Sequence, residues 1–471
     1  MAPSEAEAKD PKALAGGKTP PAYPEHLKVE KPPYRPGVMR VAVDRYFRQE
    51  YHDLEVEKIW KKCWQWACRE DEIPNVGDYV VYDVATLSFI VVRTAPDTIK
   101  AYWNSCPHRG RRLCDFDGVR ASEFRCMFHG WAWGVDGAMS DMPCGWDFPG
   151  TRDEVSHLVE ARTGVWGGFV FINPDPGCEP LAAFLGDLPD HFEKAGFDLG
   201  KRWTQVHVVA QVPCNWKVLQ EAFLESWHVN TTHPQLVFPP GDRNVMGNRW
   251  DDFGNWMRSA PALPTDQHKA PPGFSAVAET EQGVVNPRYD YDLNQTPPIQ
   301  VPPGEKGSAV LKRHARELLR EVIGEDAERI HDIHLASGEM CLLFPNMHPW
   351  GGLSRLCYRF RPYKKDPGRS LMDVIYLSPW PEDKPRPPPA PAHVLGPDDF
   401  IGDAPELGQL ARIFQQDLAN VPHVQTGLET SPVGYVIFSD HNEAPVRHFH
   451  DLYDKWMGFE DGDHLAQRPA P

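Results

Sequence analysis

Two short stretches of the sequence decide how the first half of the chain folds: Cys106-Pro107-His108-Arg109-Gly110 and Cys126-Met127-Phe128-His129-Gly130-Trp131. Each stretch supplies one thiol and one imidazole, and seventeen residues separate His108 from Cys126. A glycine closely follows each histidine, which is typical of a tight turn. The pattern predicts two similar loops that present four potential metal ligands together.

Three interpretations of these four residues are open. Two cysteines and two histidines satisfy a tetrahedral zinc ion, but zinc-binding sequences usually group like residues in each pair. A mixed Cys–His pair on each loop instead suits a [2Fe–2S] cluster in which two thiolates hold one iron and two imidazoles hold the other. The third interpretation, four unrelated core residues, is disfavoured because both pairs lie in turn sequences that contain glycine.

The composition describes a large, acidic and globular chain. The 471 residues include 49 Lys+Arg and 66 Asp+Glu, and the resulting net charge of −17 argues against nucleic acid as a partner. With 41% hydrophobic residues and 16 Trp the chain can bury a sizeable core. No apolar run approaches the ~18 residues of a transmembrane helix, and the first residues lack the apolar core of a signal peptide. With ten scattered cysteines, we expect a cytoplasmic protein with reduced thiols and no membrane partner.

The pattern of apolar and turn residues indicates an α+β chain, in which a small antiparallel β-domain accompanies a larger domain of helices and antiparallel strands. The first 38 residues are Pro-rich without apolar periodicity and are predicted to be flexible. Helices are predicted at residues 43–66, 215–230, 308–336, 403–421 and 443–457. Residues 237–305 are predicted to be irregular, either as part of a pocket wall or as a tolerated surface insertion.

A second candidate site begins in the predicted helix 215–230. Helical spacing places Glu221, Glu225 and His228 at i, i+4 and i+7 on one face. Pro234 ends the helix near His233, so that this imidazole can turn back towards His228. Two imidazoles need one more ligand and open positions to form a non-heme Fe(II) site. On its own, His-x4-His is a weak signal, because two histidines at this spacing are often unrelated.

One carboxylate stands out as the third ligand. Asp417 lies in a predicted helix with an apolar stripe and projects about 20° from Leu410, at about 100° per residue. A carboxylate that points towards the core is costly unless it is paired or bound to a metal. The alternative is an Asp at the helix edge that reaches solvent. The stripe consists of Leu407, Leu410, Phe414, Leu418 and Val421.

Taken together, these motifs resemble those of the Rieske non-heme iron oxygenases, and among them the catalytic alpha subunits of aromatic-ring-hydroxylating dioxygenases. The resemblance runs from about residue 40 to 458. Besides the two loops it includes Asn-Trp-Lys at 215–217, Glu-x-x-His-x4-His at 225–233 and Gln-Asp-x-x-Asn at 416–420. It implies an N-terminal helical segment at 39–69 that packs on the catalytic domain, a Rieske [2Fe–2S] domain at 70–180, a helix-grip-like catalytic domain at 181–458 and a tail at 459–471.

By this resemblance the first site holds a Rieske cluster, with Cys106 and Cys126 on one iron and His108 and His129 on the other. High-potential respiratory Rieske proteins add a disulfide between the loops and a Ser hydroxyl at the cluster. The corresponding positions here are Arg111, Phe128 and Trp131. Fewer hydrogen bonds to the cluster predict a lower potential, which is the oxygenase type.

The second site, by the same resemblance, binds mononuclear non-heme Fe(II) through His228, His233 and Asp417. Glu225 matches the carboxylate that, in a trimer, connects the Rieske histidine of one subunit with an iron ligand of its neighbour. Many ring dioxygenases have Asp at that position. Glu resembles branches that include homotrimers and quaternary-amine monooxygenases, so the presence of a separate β-subunit stays open.

The implied activity is that of an oxygenase in the catabolism of aromatic hydrocarbons. It would use O₂ and NAD(P)H-derived electrons, delivered by a separate reductase with or without a ferredoxin, to hydroxylate a hydrophobic aromatic substrate. Ring dihydroxylation is favoured, and a Rieske monooxygenase, acting as demethylase or hydroxylase, is the alternative. Two further alternatives are an electron-transfer protein with only the Rieske cluster and a zinc-binding interaction module. The first would leave most of the chain without a function, and the second would use the first site alone.

Overall fold

The computed structural model describes residues 37–233, 248–261, 284–285, 299–330, 334–335, 339–351, 354–381, 383–408, 410–440 and 442–459. The predicted flexible segment 1–38 and the predicted tail 459–471 therefore lie almost entirely outside the described residues. The described chain is α+β with antiparallel sheets, as predicted. Among its helices, none has both the length and the apolar character that crossing a bilayer requires.

The first described elements run from the larger domain into the smaller one. Strand Met39–Ala42 pairs antiparallel with Tyr435–Phe438, near the other end of the described chain. The next elements are a 3-10 turn Val43–Tyr46, an α-helix Gln49–Glu55 and a π turn Val56–Trp60. The predicted helix 43–66 is wrong at its end, because Gln65–Arg69 is a strand. All five of its residues are buried, so its sequence has no alternation that would separate a strand from a helix.

The smaller domain contains a six-stranded antiparallel sheet and a second sheet of three short strands. The first Cys–His loop follows strand Thr98–Trp103 of the large sheet, and the second connects two strands of the small sheet. The order in the large sheet is Gln65–Arg69, Phe169–Asn173, Glu160–Trp166, Thr98–Trp103, Leu87–Ala95 and Tyr79–Val84. The three short strands are Glu123–Arg125, Ala132–Gly134 and Met139–Asp141. A 3-10 turn Gly145–Asp147 and a helix Thr151–Glu154 return the chain to the large sheet.

The larger domain is organised by an eight-stranded sheet that separates two cores. Its order is Asn248–Phe253, Trp256–Pro261, Glu339–Leu343, Met347–Gly351, Leu356–Tyr363, Asp366–Pro379, Arg202–Val212 and His393–Val394. Only the last pair is parallel. Along strand Asp366–Pro379, Val374 and Tyr376 pack into one core and Ile375 and Leu377 into the other, because alternate residues of a strand point to opposite faces.

Helices cover both faces of this sheet. Those of the first core, which contains Val374, are Trp216–Glu221, Leu410–Glu429 and Ala444–Met457. Those of the second core are Leu181–Leu185, Leu188–Lys194 and Gly307–Ile323. The last of these is shorter than the predicted helix 308–336, because Gly324 takes a φ of +59° and a 3-10 turn Gly324–Arg329 follows.

The structure differs from three further predictions. The helix expected at 215–230 ends at Glu221, and a separate short helix Val229–Thr232 follows an irregular turn. The helix expected at 403–421 is instead Leu410–Glu429, preceded by 3-10 turns Ile401–Asp403 and Pro405–Leu407 and by Gly408 with a φ of +58°. Within 237–305, residues 248–261 are not irregular, because they form the edge hairpin of the eight-stranded sheet. Most of the predicted pocket wall lies outside the described residues.

A buried cluster of charges fastens the smaller domain to the larger one. The Arg359 guanidinium donates to the carbonyl oxygens of Trp66 and Ala67 at 3.0 and 2.6 Å and to both carboxylate oxygens of Asp373. Arg361 donates to the Asp83 carbonyl at 2.9 Å and also contacts Asp373. Burial opposes the charge of Asp373, but the two guanidinium groups hold its pKa well below the usual range. The two domains are therefore joined by buried hydrogen bonds from two guanidinium groups that share one carboxylate.

Candidate metal centres

The two Cys–His loops have the same backbone conformation. In each loop the cysteine N–H donates to the carbonyl five residues later, Cys106 to Arg111 and Cys126 to Trp131, both at 2.8 Å. The glycine four residues after each cysteine donates back to the cysteine carbonyl, at 2.8 Å for Gly110 and 2.9 Å for Gly130. Both glycines have positive φ, +75° and +82°, which residues with a Cβ adopt only at a cost. The repeated pattern explains why the two sequence motifs look alike.

The side chains of these loops form an inner pair of thiols and an outer pair of imidazoles. Cys106 and Cys126 are each 2% exposed. Burial raises the pKa of the Cys106 thiol, and the neighbouring Cys126 raises it further. The rings of His108 and His129 lie at the surface with centroids 4.6 Å apart, and His108 stacks on Trp131 at 4.7 Å. This arrangement fits a [2Fe–2S] cluster with cysteines on the inner iron and histidines on the outer iron.

A single zinc ion fits these loops less well. Across the described residues, His228, His233 and Asp417 form the one group of three or more potential ligands whose donor atoms all lie within 4.8 Å of one another. The loop residues do not converge in that way, whereas a tetrahedral zinc site needs four donors around one point. All ten cysteines are free thiols, so the loops carry no disulfide.

The second centre unites three side chains from separate elements. His228 precedes the short helix Val229–Thr232, His233 follows it, and Asp417 lies in helix Leu410–Glu429. Asp417 Oδ1 is 2.8 Å from His233 Nε2 and 3.5 Å from His228 Nε2. The side chains of His233 and Asp417 are 2% and 5% exposed, and that of His228 is 25% exposed. The carboxylate is therefore turned inwards, as the apolar stripe predicts, and it faces both imidazoles.

Each imidazole of this centre is held from the outside by a second hydrogen bond. His228 Nδ1 is 2.6 Å from Glu225 Oε1, and His233 Nδ1 is 2.9 Å from Gln416 Oε1. When Nδ1–H donates to these oxygens, both Nε2 atoms are left to face Asp417, which is the tautomer that metal binding needs. Burial lowers the pKa of His233, but its contacts with Asp417 and Gln416 outweigh burial and raise it. Two imidazoles and a carboxylate in this arrangement are a suitable donor set for non-heme Fe(II).

The positions of Glu225 and Gln416 differ from what the sequence indicates. Glu225 lies in the turn after Glu221, not on one helical face with it, and its Oε2 accepts the backbone N–H of Trp227 and of His228. Glu221 instead contacts Tyr46 and His450. The sequence pattern does not identify Gln416 as a partner of His233, although Gln416 directly precedes Asp417 in the Gln-Asp motif. Its place beside the predicted carboxylate was the only signal in the sequence.

Two family models match this chain. The family described as ring-hydroxylating alpha subunit (catalytic domain) matches residues 200–459, more than half of the chain. The Rieske [2Fe–2S] domain matches residues 63–149. The second match contains both Cys–His loops, and the first contains the two histidines and the carboxylate of the second centre.

Curated relatives include both monooxygenases and dioxygenases. The chain is 27% identical over 224 residues to the carnitine monooxygenase oxygenase subunit of Escherichia coli (strain K12), covering 47% of this chain and 59% of that protein. It is 32% identical over 224 residues to the anthranilate 1,2-dioxygenase large subunit of Acinetobacter baylyi, covering 43% of this chain and 45% of that protein. The chain thus spans about half the length of the curated relatives that it matches.

Solved structures share the fold over most of the chain. The quaternary ammonium Rieske monooxygenase CntA in complex with L-carnitine superposes with a TM-score of 0.61 at 17% identity, over 89% of this chain and 96% of that one. Naphthalene 1,2-dioxygenase from Rhodococcus sp. bound to indole gives a TM-score of 0.59 at 20% identity, over 91% and 95%. At these identities the likeness shows a common fold.

Proposed function

This chain belongs to the family of ring-hydroxylating alpha subunits, and from that membership we propose that it is the oxygenase component that hydroxylates a hydrophobic aromatic substrate with O₂. It combines a Rieske [2Fe–2S] domain with the catalytic domain of a non-heme iron oxygenase. The observation that carries the proposal is the convergence of His228, His233 and Asp417. Ring dihydroxylation is the reaction that we favour.

In this proposal the residues of each centre have distinct tasks. Cys106, Cys126, His108 and His129 hold the cluster, and His228, His233 and Asp417 hold the mononuclear iron. When bound, the cluster would supply electrons singly and the iron would activate O₂ for reaction with the substrate. Glu225 and Gln416 fix the orientation of the two imidazoles, and Asp417 offers one negative charge on the buried face of its helix.

An aromatic layer beside the second centre supports a hydrophobic substrate. Phe414 lies one helical turn before Asp417, and its ring centroid is 6.3 Å from that of Phe223 and 5.8 Å from that of Tyr358. Phe223 also packs against Phe360 at 5.5 Å. Aromatic side chains form apolar walls in which a flat substrate ring packs by stacking or edge-to-face contact.

We include in the proposal a homotrimer that receives electrons from a separate reductase in the cytoplasm. Large apolar side chains are exposed near the outer histidines, at Met127 (77%), Phe128 (53%) and Trp146 (83%). Trp227, between Glu225 and His228, is 45% exposed. Exposed apolar groups of this size mark protein contact surfaces, as expected if the loops of one subunit faced Glu225 of the next. The ten free thiols suit a reducing compartment.

A second candidate function is the monooxygenation of a quaternary ammonium compound. Two observations favour it. The position that matches Asp in many ring dioxygenases is Glu225 here. The similarity to a carnitine monooxygenase points in the same direction.

Product analysis under ¹⁸O₂ tests the two candidates together. The purified protein would receive a surrogate reductase, NADH and a panel of aromatic hydrocarbons, aromatic acids and quaternary ammonium compounds. Two heavy oxygen atoms in one product would establish dihydroxylation. One heavy atom, or loss of a methyl group, would establish the monooxygenase. Peroxide as the sole product from every compound would count against both substrate classes.

A further inference from the structure

The helix that leads to the second metal centre takes part in a buried network of ionisable side chains. Arg45 pairs with Asp454 at 2.6 Å, and Lys217 pairs with Glu55. None of these side chains is more than 2% exposed. Each cation meets one carboxylate, so the four charges balance within the protein interior.

Glu221, the last residue of helix Trp216–Glu221, adds a further carboxyl to this network. Its Oε1 atom accepts a hydrogen bond from the Tyr46 hydroxyl at 3.0 Å and lies 3.0 Å from His450 Nε2. The Tyr46 hydroxyl and His450 Nε2 are 3.1 Å apart. Tyr46 is 1% exposed and His450 is fully buried. The Tyr46 hydroxyl and the His450 imidazole thus both lie within hydrogen-bond distance of Glu221 Oε1 and of each other.

This geometry lets one proton bind and leave without rearrangement. With His450 protonated at Nε2, both the hydroxyl of Tyr46 and the imidazole of His450 donate to Glu221 Oε1. The same two donors stabilise Glu221 as a carboxylate and as a carboxylic acid whose proton sits on Oε2. The labile proton is therefore stored on Glu221 while its surroundings remain fixed.

The neighbours of Glu221 set how tightly it holds that proton. Burial raises its pKa to about 8, although the hydrogen bond from Tyr46 and the charges of Lys217 and Arg45 act in the opposite direction. Glu443, just before helix Ala444–Met457, is a further carboxyl whose charge is coupled to that of Glu221. Burial raises the pKa of Glu443 as well, and the charges of Glu225 and Glu221 raise it further. The charge of Glu443 is therefore coupled to both carboxyls, that of Glu221 in the network and that of Glu225 beside His228.

We propose that Glu221, whose side chain is 14% exposed, acts with the buried Tyr46 and His450 as a proton store that supplies a proton to the oxygen reaction at the neighbouring metal centre. This inference rests on the proposed function. Either oxygenation consumes O₂, two electrons and two protons, with the electrons supplied by the reductase. The O–H bond of the Glu221 carboxyl breaks, and its proton forms an O–H bond on the hydroxylated product or on water. Solvent supplies the second proton and afterwards returns one to Glu221.

The first test follows stability against pH and needs no turnover. An unfolded Glu loses its proton near pH 4.3, whereas folded Glu221 keeps it to about pH 8. Between these values the folded state holds a proton that the unfolded state has lost, so wild-type stability falls as pH rises through this window. We expect urea midpoints of Glu221→Gln to lack that fall, while the exposed control Glu50→Gln follows wild type. If the urea midpoints of Glu221→Gln and wild type depended on pH in the same way, the proposal that Glu221 stores a proton would be rejected.

A second variant separates proton storage from simple packing. Tyr46→Phe keeps the ring but removes the hydrogen bond that lowers the pKa of Glu221, so the fall in stability should extend to higher pH. If these residues had a purely structural role, the loss of stability would not depend on pH. Tyr46→Phe and Glu221→Gln would then lower the urea midpoint equally at every pH. That outcome would reject the proposal.

The third measurement tests whether Glu221 delivers its proton to the oxygen reaction. In the metal-loaded enzyme, we expect Glu221→Gln to form roughly tenfold less product per O₂ consumed, or less still, and to release the difference as peroxide, since a positioned proton donor contributes at least that much. Unchanged product per O₂ would reject the delivery step and leave the oxygenase function standing. If wild type hydroxylated no compound, the proposed function would fail with it, and the denaturation series would still decide whether Glu221 stores a proton.

Discussion

Gln416 and Glu225 act on the second metal centre from outside, each through one hydrogen bond to an imidazole Nδ1 atom. We expect Gln416→Leu to weaken iron binding by about 10- to 100-fold, because His233 loses the acceptor that fixes its tautomer. Iron competition with a chelator would measure this loss. Gln416→Glu keeps an acceptor and should restore most of the affinity. Equal iron affinity of Gln416→Leu and wild type would show that Asp417 alone orients His233.

For Glu225 the expected result is different, because the predicted role of this residue lies in electron transfer and not in binding. Glu225→Gln keeps an oxygen that can accept from His228 Nδ1, so both metal centres should stay occupied. Substrate-coupled O₂ consumption should fall by at least about tenfold if the negative charge is needed between subunits. Rapid-mixing reoxidation of the reduced cluster in the presence of substrate would measure this. Wild-type reoxidation in Glu225→Gln would contradict the connecting role.

At the scale of elements, the junction between the two domains depends on the charges around Asp373. We expect Arg359→Met to lower the free energy of unfolding by about 3 kcal/mol at neutral pH, because it leaves a buried carboxylate with fewer partners. The exposed Arg369, whose side chain is 45% exposed, offers a control: Arg369→Met should change stability by less than about 0.5 kcal/mol. Urea denaturation measures both, and equal losses would show that the junction does not depend on this pair.

The same junction should also weaken in acid. The pKa of folded Asp373 lies well below its usual value, so its contribution is present above about pH 4 and is lost as pH falls further.

The sequence predicted well those elements whose residues alternate or repeat in a single pattern. The antiparallel β-character of the smaller domain and the closing helix 443–457 belong to this group, and so do the two Cys–His loops. It failed where burial on both faces removed the pattern, as at Gln65–Arg69, and where a local carboxylate replaced helical hydrogen bonds, as at Glu225. Contacts between distant segments, such as Gln416 with His233 or Glu221 with His450, leave no periodic signal in the sequence at all.

At the scale of the whole molecule, the two centres predict a metal content of about three irons per chain, two in the cluster and one at His228, His233 and Asp417. Asp417→Ala should lower this to about two while the EPR signal of the reduced cluster stays unchanged. The exposed residue Asp398 provides the matched control, since Asp398→Ala should keep all three. Metal analysis combined with EPR decides the matter, and full iron retention in Asp417→Ala would show that another carboxylate is the ligand.

The pairing of Met39–Ala42 with Tyr435–Phe438, and the contact of Tyr46 with His450, bring the first and the last described segments side by side. The strands of the six-stranded sheet, in contrast, all lie between residues 65 and 173. A chain that leaves the ribosome from its N-terminus can therefore complete the cluster-binding domain while the rest is still being translated. The mononuclear centre cannot form until Asp417 and the closing helix have been synthesised. Synthesis from the N-terminus thus permits the cluster to be inserted before the iron.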